Sequence, residues 1–103
     1  MKEYKAECLC KSIKLQIQIN DVHVCYCTMC RKYSGAVCSI FTAVKKNKFN
    51  QSIKLNTKTI NTGVNSERVF CSHCNSFIGM KYDHNEAYFN IGLIKGLPKQ
   101  EWL

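Results

Sequence analysis

Seven of the eight cysteines in this chain fall into three tight groups: Cys8-Leu9-Cys10, Cys25-Tyr26-Cys27-Thr28-Met29-Cys30 and Cys71-Ser72-His73-Cys74. A disulfide requires a particular Cα separation and Cβ direction, which cysteines two residues apart seldom satisfy. Such pairs suit a knuckle that aims two sulfurs at one metal ion. The first residues, Met1-Lys2-Glu3-Tyr4-Lys5, start no apolar secretory segment, so an oxidising compartment is not expected. Metal ligation is therefore the reading. Four thiolates close a tetrahedral zinc site, whereas three leave one position open. Groups of two, three and two sulfurs invite one closed, structural zinc and one open zinc available for catalysis.

At 103 residues the chain is expected to form a single domain over 1–103 whose core alone is marginal. Zinc binding is coupled to folding and would supply the missing stability. The longest mostly apolar run, Ala36 to Val44, is far too short to cross a bilayer, so a soluble cytoplasmic protein is expected. The formal charge of +8 overstates any attraction to nucleic acid. Seven thiolates subtract seven charges and two Zn²⁺ ions restore four, leaving +5. Thirteen lysines, against only Arg31 and Arg68, are dispersed except at Lys45-Lys46-Asn47-Lys48. That pattern describes a solvated surface better than a nucleic-acid reader, although it would favour an anionic small substrate.

Periodicity predicts a mainly β fold. Ile13, Leu15, Ile17 and Ile19 alternate with polar residues across Ser12–Asn20, as in a half-buried strand. Val22-His23-Val24 runs as a short strand into the three-cysteine group, and Thr28–Tyr33 reads as one helical turn with Thr28 as N-cap and Ser34-Gly35 as the stop. Further strands are expected at Ala36–Val44, Ser52–Leu55, Thr57–Ile60, Arg68–Cys71, Phe77–Tyr82 and Ala87–Ile91. Asn61-Thr62-Gly63 and Asp83-His84-Asn85 read as turns, and Gly96-Leu97-Pro98 as a looped end. The result is a small zinc-stapled antiparallel β domain with at most short helical turns.

Spacing alone leaves the metal pairing open. Joining Cys8 and Cys10 to Cys71 and Cys74 would close a long loop, and Cys25, Cys27 and Cys30 are near enough to form a local three-sulfur site. A zinc ribbon of Cys27/Cys30 with Cys71/Cys74 is the competing arrangement. Cys38 could close the three-sulfur site as a fourth ligand, or pack as a small apolar residue on its strand.

The order of these motifs also resembles a known family. Cys8-Leu9-Cys10, then Cys25 through Ala36 with its Cys-X-Cys-X-X-Cys-Arg-X-X-Ser-Gly-Ala pattern, then Arg68-Val69-Phe70-Cys71-Ser72-His73-Cys74, is similar to the glutathione-dependent formaldehyde-activating enzymes. That family's domain is shared with centromere protein V. Asn90-Ile91-Gly92-Leu93 resembles the family's closing strand. The resemblance implies a β-tent fold with two zinc ions. It places Cys8, Cys10, Cys71 and Cys74 around a structural ion, and Cys25, Cys27 and Cys30 around a catalytic one. It also implies a carbon–sulfur lyase that reversibly forms S-hydroxymethylglutathione from glutathione, or a similar small thiol, and formaldehyde. The chain departs from the family pattern at Lys11, where glycine is usual, at Asn75-Ser76 in place of Gly-Thr, and at Lys95 in place of an acidic residue.

Other candidates are less distinctive. Arg31 could meet a substrate carboxylate or pair on the surface, and Tyr26 could line a pocket or merely pack. His23 and His73 read as structural or surface residues. The alternative to an enzyme is a zinc module that binds glutathione, a protein partner or nucleic acid without turnover.

Overall fold

The computed structural model describes residues 3–52, 56–63, 66–82 and 86–96. Two strands, β1 (Glu3–Glu7) and β2 (Lys14–Gln18), form an antiparallel hairpin with Ala6 opposite Leu15. The larger sheet has six strands: β3 (Val22–Cys25), β4 (Ser39–Lys45), β5 (Thr57–Gly63), β6 (Ser66–Cys71), β7 (Phe77–Tyr82) and β8 (Glu86–Asn90). Their spatial order is β3-β4-β8-β7-β6-β5, with every pairing antiparallel. Two seven-residue helices, α1 (Thr28–Ser34) and α2 (Lys46–Ser52), and a 3₁₀ turn at Ile91–Leu93 complete the described structure.

The six-stranded sheet is buried on both faces at its centre, while its edge strands β3 and β5 are largely exposed. One face meets the hairpin and α2 in a core of Ala6, Ile13, Ile17, Phe49, Val69, Ile78, Ala87 and Phe89. The other face meets α1 in a second core of Cys30, Phe41, Phe70, Phe77 and Met80. Strand alternation explains the division: along β6, Val69 and Cys71 face the hairpin while Phe70 belongs to the α1 side. A register shift between Val69 and Phe70 sets Phe70 opposite Phe77 and Arg68 opposite Met80. The bulge therefore places Phe77 and Met80, three residues apart, on the same face. Burying a residue such as Phe89, which has no exposed surface, contributes about 1.5–3 kcal/mol. The hairpin is tied to the sheet's end by an Ala6–Ile94 bridge and by Lys95 N–H donating to the Lys5 carbonyl at 2.9 Å.

Several local expectations change. The apolar stripe of Ser12–Asn20 does bury Ile13 and Ile17, but regular pairing is confined to Lys14–Gln18. Cys27, not Thr28, caps α1: its sulfur accepts the Cys30 N–H. The strand expected from Ala36 begins only at Ser39, because Gly35 ends α1 in the left-handed region (φ 70°) and the chain must reverse before pairing. Asn61-Thr62-Gly63 is not a turn; β5 continues through it with a register irregularity. Ser52 closes α2 rather than opening a strand, and residues 53–55 lie outside the described residues, as do Asp83-His84-Asn85 and Leu97-Pro98. The closing strand ends at Asn90. Its side chain caps the 3₁₀ turn by accepting the Gly92 N–H, and donates to the Phe77 carbonyl at 2.9 Å.

Gly79 is required for close packing. A Cβ at this position would collide with the Tyr88 carbonyl oxygen and press on the Phe49 ring. β7 and β8 could not then keep their register.

Candidate metal centres

Two backbone knuckles meet at the end of the hairpin. In the first, Cys8 N–H donates to the Ile13 carbonyl and Lys11 N–H to the Cys8 carbonyl, both at 3.1 Å. In the second, Cys71 N–H donates to the Ser76 carbonyl (2.9 Å) and Asn75 N–H to the Cys71 carbonyl (3.0 Å). Each knuckle needs a left-handed residue immediately after its second cysteine: Lys11 (φ 68°) and Asn75 (φ 65°). The Leu9 N–H donates across to Ser76 Oγ at 3.0 Å, locking one knuckle to the other.

The sulfurs of Cys8, Cys10, Cys71 and Cys74 all lie within 4.8 Å of one another. Four sulfurs placed tetrahedrally around zinc at the usual bond length are about 3.8 Å apart. The Cys8–Cys10 separation is 3.7 Å, and Cys8–Cys71 and Cys10–Cys71 are both 3.8 Å. The set fits zinc. Its surroundings suit thiolates as well: Ile13 N–H reaches Cys8 Sγ at 3.3 Å and His73 N–H reaches Cys71 Sγ at 3.4 Å. The Ser12 hydroxyl lies 3.1 Å from Cys10 Sγ and 3.3 Å from Cys71 Sγ. Ser76 Oγ, 3.1 Å from Cys74 Sγ, is the main influence drawing that thiol down to about 5. Hydrogen bonds of this kind orient metal-binding side chains and stabilise their charge.

The departures from the family pattern now have physical consequences. Asn75 tolerates the left-handed backbone, and Ser76 supplies a hydroxyl to the sulfur and an acceptor to Leu9. Lys11 holds the same backbone conformation with a β-carbon, which at positive φ costs roughly 1–2 kcal/mol. Glycine would relieve that strain while adding unfolded-chain entropy. Lys11→Gly should therefore stabilise the zinc-loaded protein by about 0.5–1 kcal/mol. Denaturant unfolding would detect it, and a loss of stability would show that Lys11 makes compensating contacts. Lys95 lies 3.6 Å from Glu7, an ion pair with its lysine end in solvent.

The second cluster lies on the opposite face of the sheet. β3 ends at Cys25, Cys27 caps α1, and Cys30 sits on the buried side of that helix with 1% exposure. Their three sulfurs again lie within 4.8 Å of one another, with Cys25 and Cys27 3.4 Å apart. This set could hold a metal ion and leaves one tetrahedral position for another ligand. The electrostatics within it are uneven. The Cys30 N–H, 3.3 Å from Cys27 Sγ, leads in lowering Cys27 to about 7. Burial pushes Cys30 up to about 12, against the pull of Arg68, whose Nη2 is 3.6 Å from Cys30 Sγ. Metal binding must displace the Cys30 proton, as a zinc thiolate site requires. Cys27 is exposed, and its neighbours Tyr26 (68% exposed) and Met29 are open to solvent beside it.

Folding thus separates the clusters and removes the ribbon alternative, because Cys71 and Cys74 meet Cys8 and Cys10 rather than Cys27 and Cys30. Cys38 belongs to neither cluster; it is half-buried and lies just before β4. His23 stacks edge-on against Tyr88 at 5.2 Å, and His73 Nε2 pairs with Asn56 Oδ1 at 3.4 Å. Arg31 is exposed and makes no ion pair among the described residues. Sequence reasoning missed the roles of Ser12 and Ser76. It read Arg68 as part of a strand and of a motif, whereas the structure buries this arginine beside Cys30.

A mainly antiparallel β fold that gathers one four-sulfur and one three-sulfur cluster, each able to hold a metal ion, defines the class of protein to which the chain is similar. The chain belongs to the glutathione-dependent formaldehyde-activating enzyme family, whose model matches residues 3–101. It is also 28% identical over 101 residues to an uncharacterised lyase of Schizosaccharomyces pombe, covering 94% of this chain and 72% of that protein. No helix among the described residues is long and apolar enough to cross a membrane.

Proposed function

We propose that this chain is a zinc-dependent carbon–sulfur lyase acting on glutathione-type thiol adducts, with reversible formation of S-hydroxymethylglutathione from glutathione and formaldehyde as its reaction. In this reading residues 1–103 form one domain in the cytoplasm. Cys8, Cys10, Cys71 and Cys74 hold a structural zinc ion, and Cys25, Cys27 and Cys30 hold a catalytic one. The observation that carries it is a three-sulfur set that reaches solvent at Cys27, in a chain that builds a complete four-sulfur set elsewhere. The family match and the name of the yeast relative support the reaction class.

In the forward direction the thiol sulfur forms a bond to the aldehyde carbon, and the thiol proton ends on the aldehyde oxygen. Zinc bound to the three sulfurs supplies a position that can take a thiolate or polarise a carbonyl. The chain provides the rest. The cap of α1 fixes Cys27, the buried side of α1 fixes Cys30, and Arg68 places a positive charge against the sulfur cluster. Tyr26 and Met29 offer exposed apolar surface for the thiol's carbon skeleton, and the lysine-rich exterior attracts the tripeptide's carboxylates.

The test is NMR exchange spectroscopy on glutathione and formaldehyde at equilibrium. Three samples are compared: protein carrying two zinc ions, protein stripped of the more weakly held ion, and buffer alone. Exchange between free and hydroxymethylated glutathione should accelerate only with the doubly loaded protein. Equal rates in all three samples, with two zinc ions verified, would leave the chain as a zinc-binding module without this activity.

A further inference from the structure

Arg68 is an unusual residue to find inside so small a domain. It lies on β6 opposite Met80, is 4% exposed, and enters the apolar core beneath α1. Its guanidinium carbon stands 5.0 Å from the Tyr33 ring centroid and 5.8 Å from that of Phe77. Among the described residues its Nε and Nη1 are buried with no hydrogen-bond partner, and Nη2 donates to Cys30 Sγ at 3.6 Å. No carboxylate answers its charge among the described residues. The neighbouring Glu67 pairs with Lys81, and the other ion pair joins Lys95 to Glu7.

A buried cation needs a counter-charge, because the desolvation it suffers is not repaid by aromatic contacts alone. The sulfur cluster is what lies within reach. Three thiolates around a divalent ion carry a net charge of −1, which a guanidinium cancels. A neutral fourth ligand would leave that balance unchanged. An anionic one would raise the charge of the metal set to −2, and here the adjacent cation lowers the electrostatic cost. A hydrogen bond to a ligating sulfur also withdraws electron density from it, leaving the ion a stronger acceptor for a further anion.

We propose that Arg68 is a specificity-determining positioning residue: from beneath Cys30 it biases the three-cysteine centre toward a thiolate, rather than a neutral molecule, as fourth ligand. This rests on reading Cys25, Cys27 and Cys30 as an open zinc site, and it extends that reading by naming what sets the ligand class. Arg68 touches a ligand, not the substrate. An apolar side chain of similar volume would fill the space without the desolvation cost, but it would remove the preference.

The test uses protein loaded with two Co²⁺ ions per chain, whose ligand-field and sulfur-to-cobalt absorption responds to a new ligand at an open site. Wild type, Arg68→Met and Arg68→Lys are titrated at one fixed pH with 2-mercaptoethanol and, separately, with imidazole as the neutral ligand. Arg68→Met should bind 2-mercaptoethanol at least tenfold more weakly while its imidazole affinity changes less than twofold. Arg68→Lys, which keeps a charge, should recover part of the loss. If Arg68→Met fails to take up two metal ions, the lysine variant carries the comparison, with selectivity intermediate or unchanged deciding for or against. Equal weakening toward both ligands would reduce Arg68 to a packing residue and overturn the proposal. So would unchanged selectivity. A wild-type spectrum that responds to neither ligand would instead sink the open-site reading beneath it, which keeps the two failures distinct.

Discussion

Replacing Cys71 by serine should abolish cooperative folding at 37 °C. Cys71 has no exposed surface, ends β6, and stands 3.8 Å from the sulfurs of both Cys8 and Cys10. Its backbone also anchors the second knuckle through bonds to Ser76 and Asn75. A hydroxyl is a poor zinc ligand, so the four-sulfur set would become an incomplete one. Structural zinc in small domains is worth about 10–16 kcal/mol in zinc-finger peptides. The whole stability of an ordinary domain is about 5–15 kcal/mol. The core cannot cover the difference, because the hairpin and the six-stranded sheet meet around the very knuckles the ion would hold. Thermal unfolding by circular dichroism, with zinc counted per chain, would decide. A variant that binds one zinc and melts with wild type would show that the four-sulfur centre is dispensable to the fold.

The contrasting variant is Cys27→Ser, which should reduce glutathione–formaldehyde exchange at least a hundredfold while leaving the protein folded. Cys27 is exposed and belongs to neither core. Its structural duty is to cap α1 by accepting the Cys30 N–H at 3.3 Å, and serine is among the best residues for that duty. The substitution therefore removes a thiolate and keeps the cap. Zinc content should fall from two to one, and the melting temperature should drop by no more than about 5 °C, the shift expected for roughly 1 kcal/mol in a domain of this size. Retained exchange with only one zinc bound would remove the catalytic assignment of the three-cysteine centre. Loss of fold together with activity would remove the division of labour between the two centres.

The cysteine spacing alone marked the residues able to ligate metal, because ligands two and three residues apart converge through local turns, whatever the rest of the chain does. Strand periodicity was equally legible where one face is buried: Ile13 and Ile17 point inward as their alternation requires. Gly35 stops α1 in the left-handed conformation, a consequence of its missing β-carbon. The family resemblance added which cysteines belong together, and folding brings those same sulfurs within 4.8 Å.

Elements fixed by distant contacts were not legible. α2 has a single buried apolar anchor, Phe49, so it shows no helical stripe. A seven-residue helix is not stable alone, and this one exists because Phe49 packs against Phe89. The joining of Cys8 to Cys71 spans 63 positions, and nothing in either knuckle's composition specifies its partner. Ser12 and Ser76 became thiolate neighbours only when the two turns met. Arg68 would pass for a strand residue with a solvated end, yet the bulge in the β6–β7 pairing and the packing of α1 bury it beside Cys30. The sequence by itself determined which residues can bind metal and where the chain alternates or turns, since those properties depend on near neighbours. Tertiary structure decided which sulfurs share a centre and which charge sits beneath one of them, because desolvation and long-range pairing arise only when remote segments close around the same space.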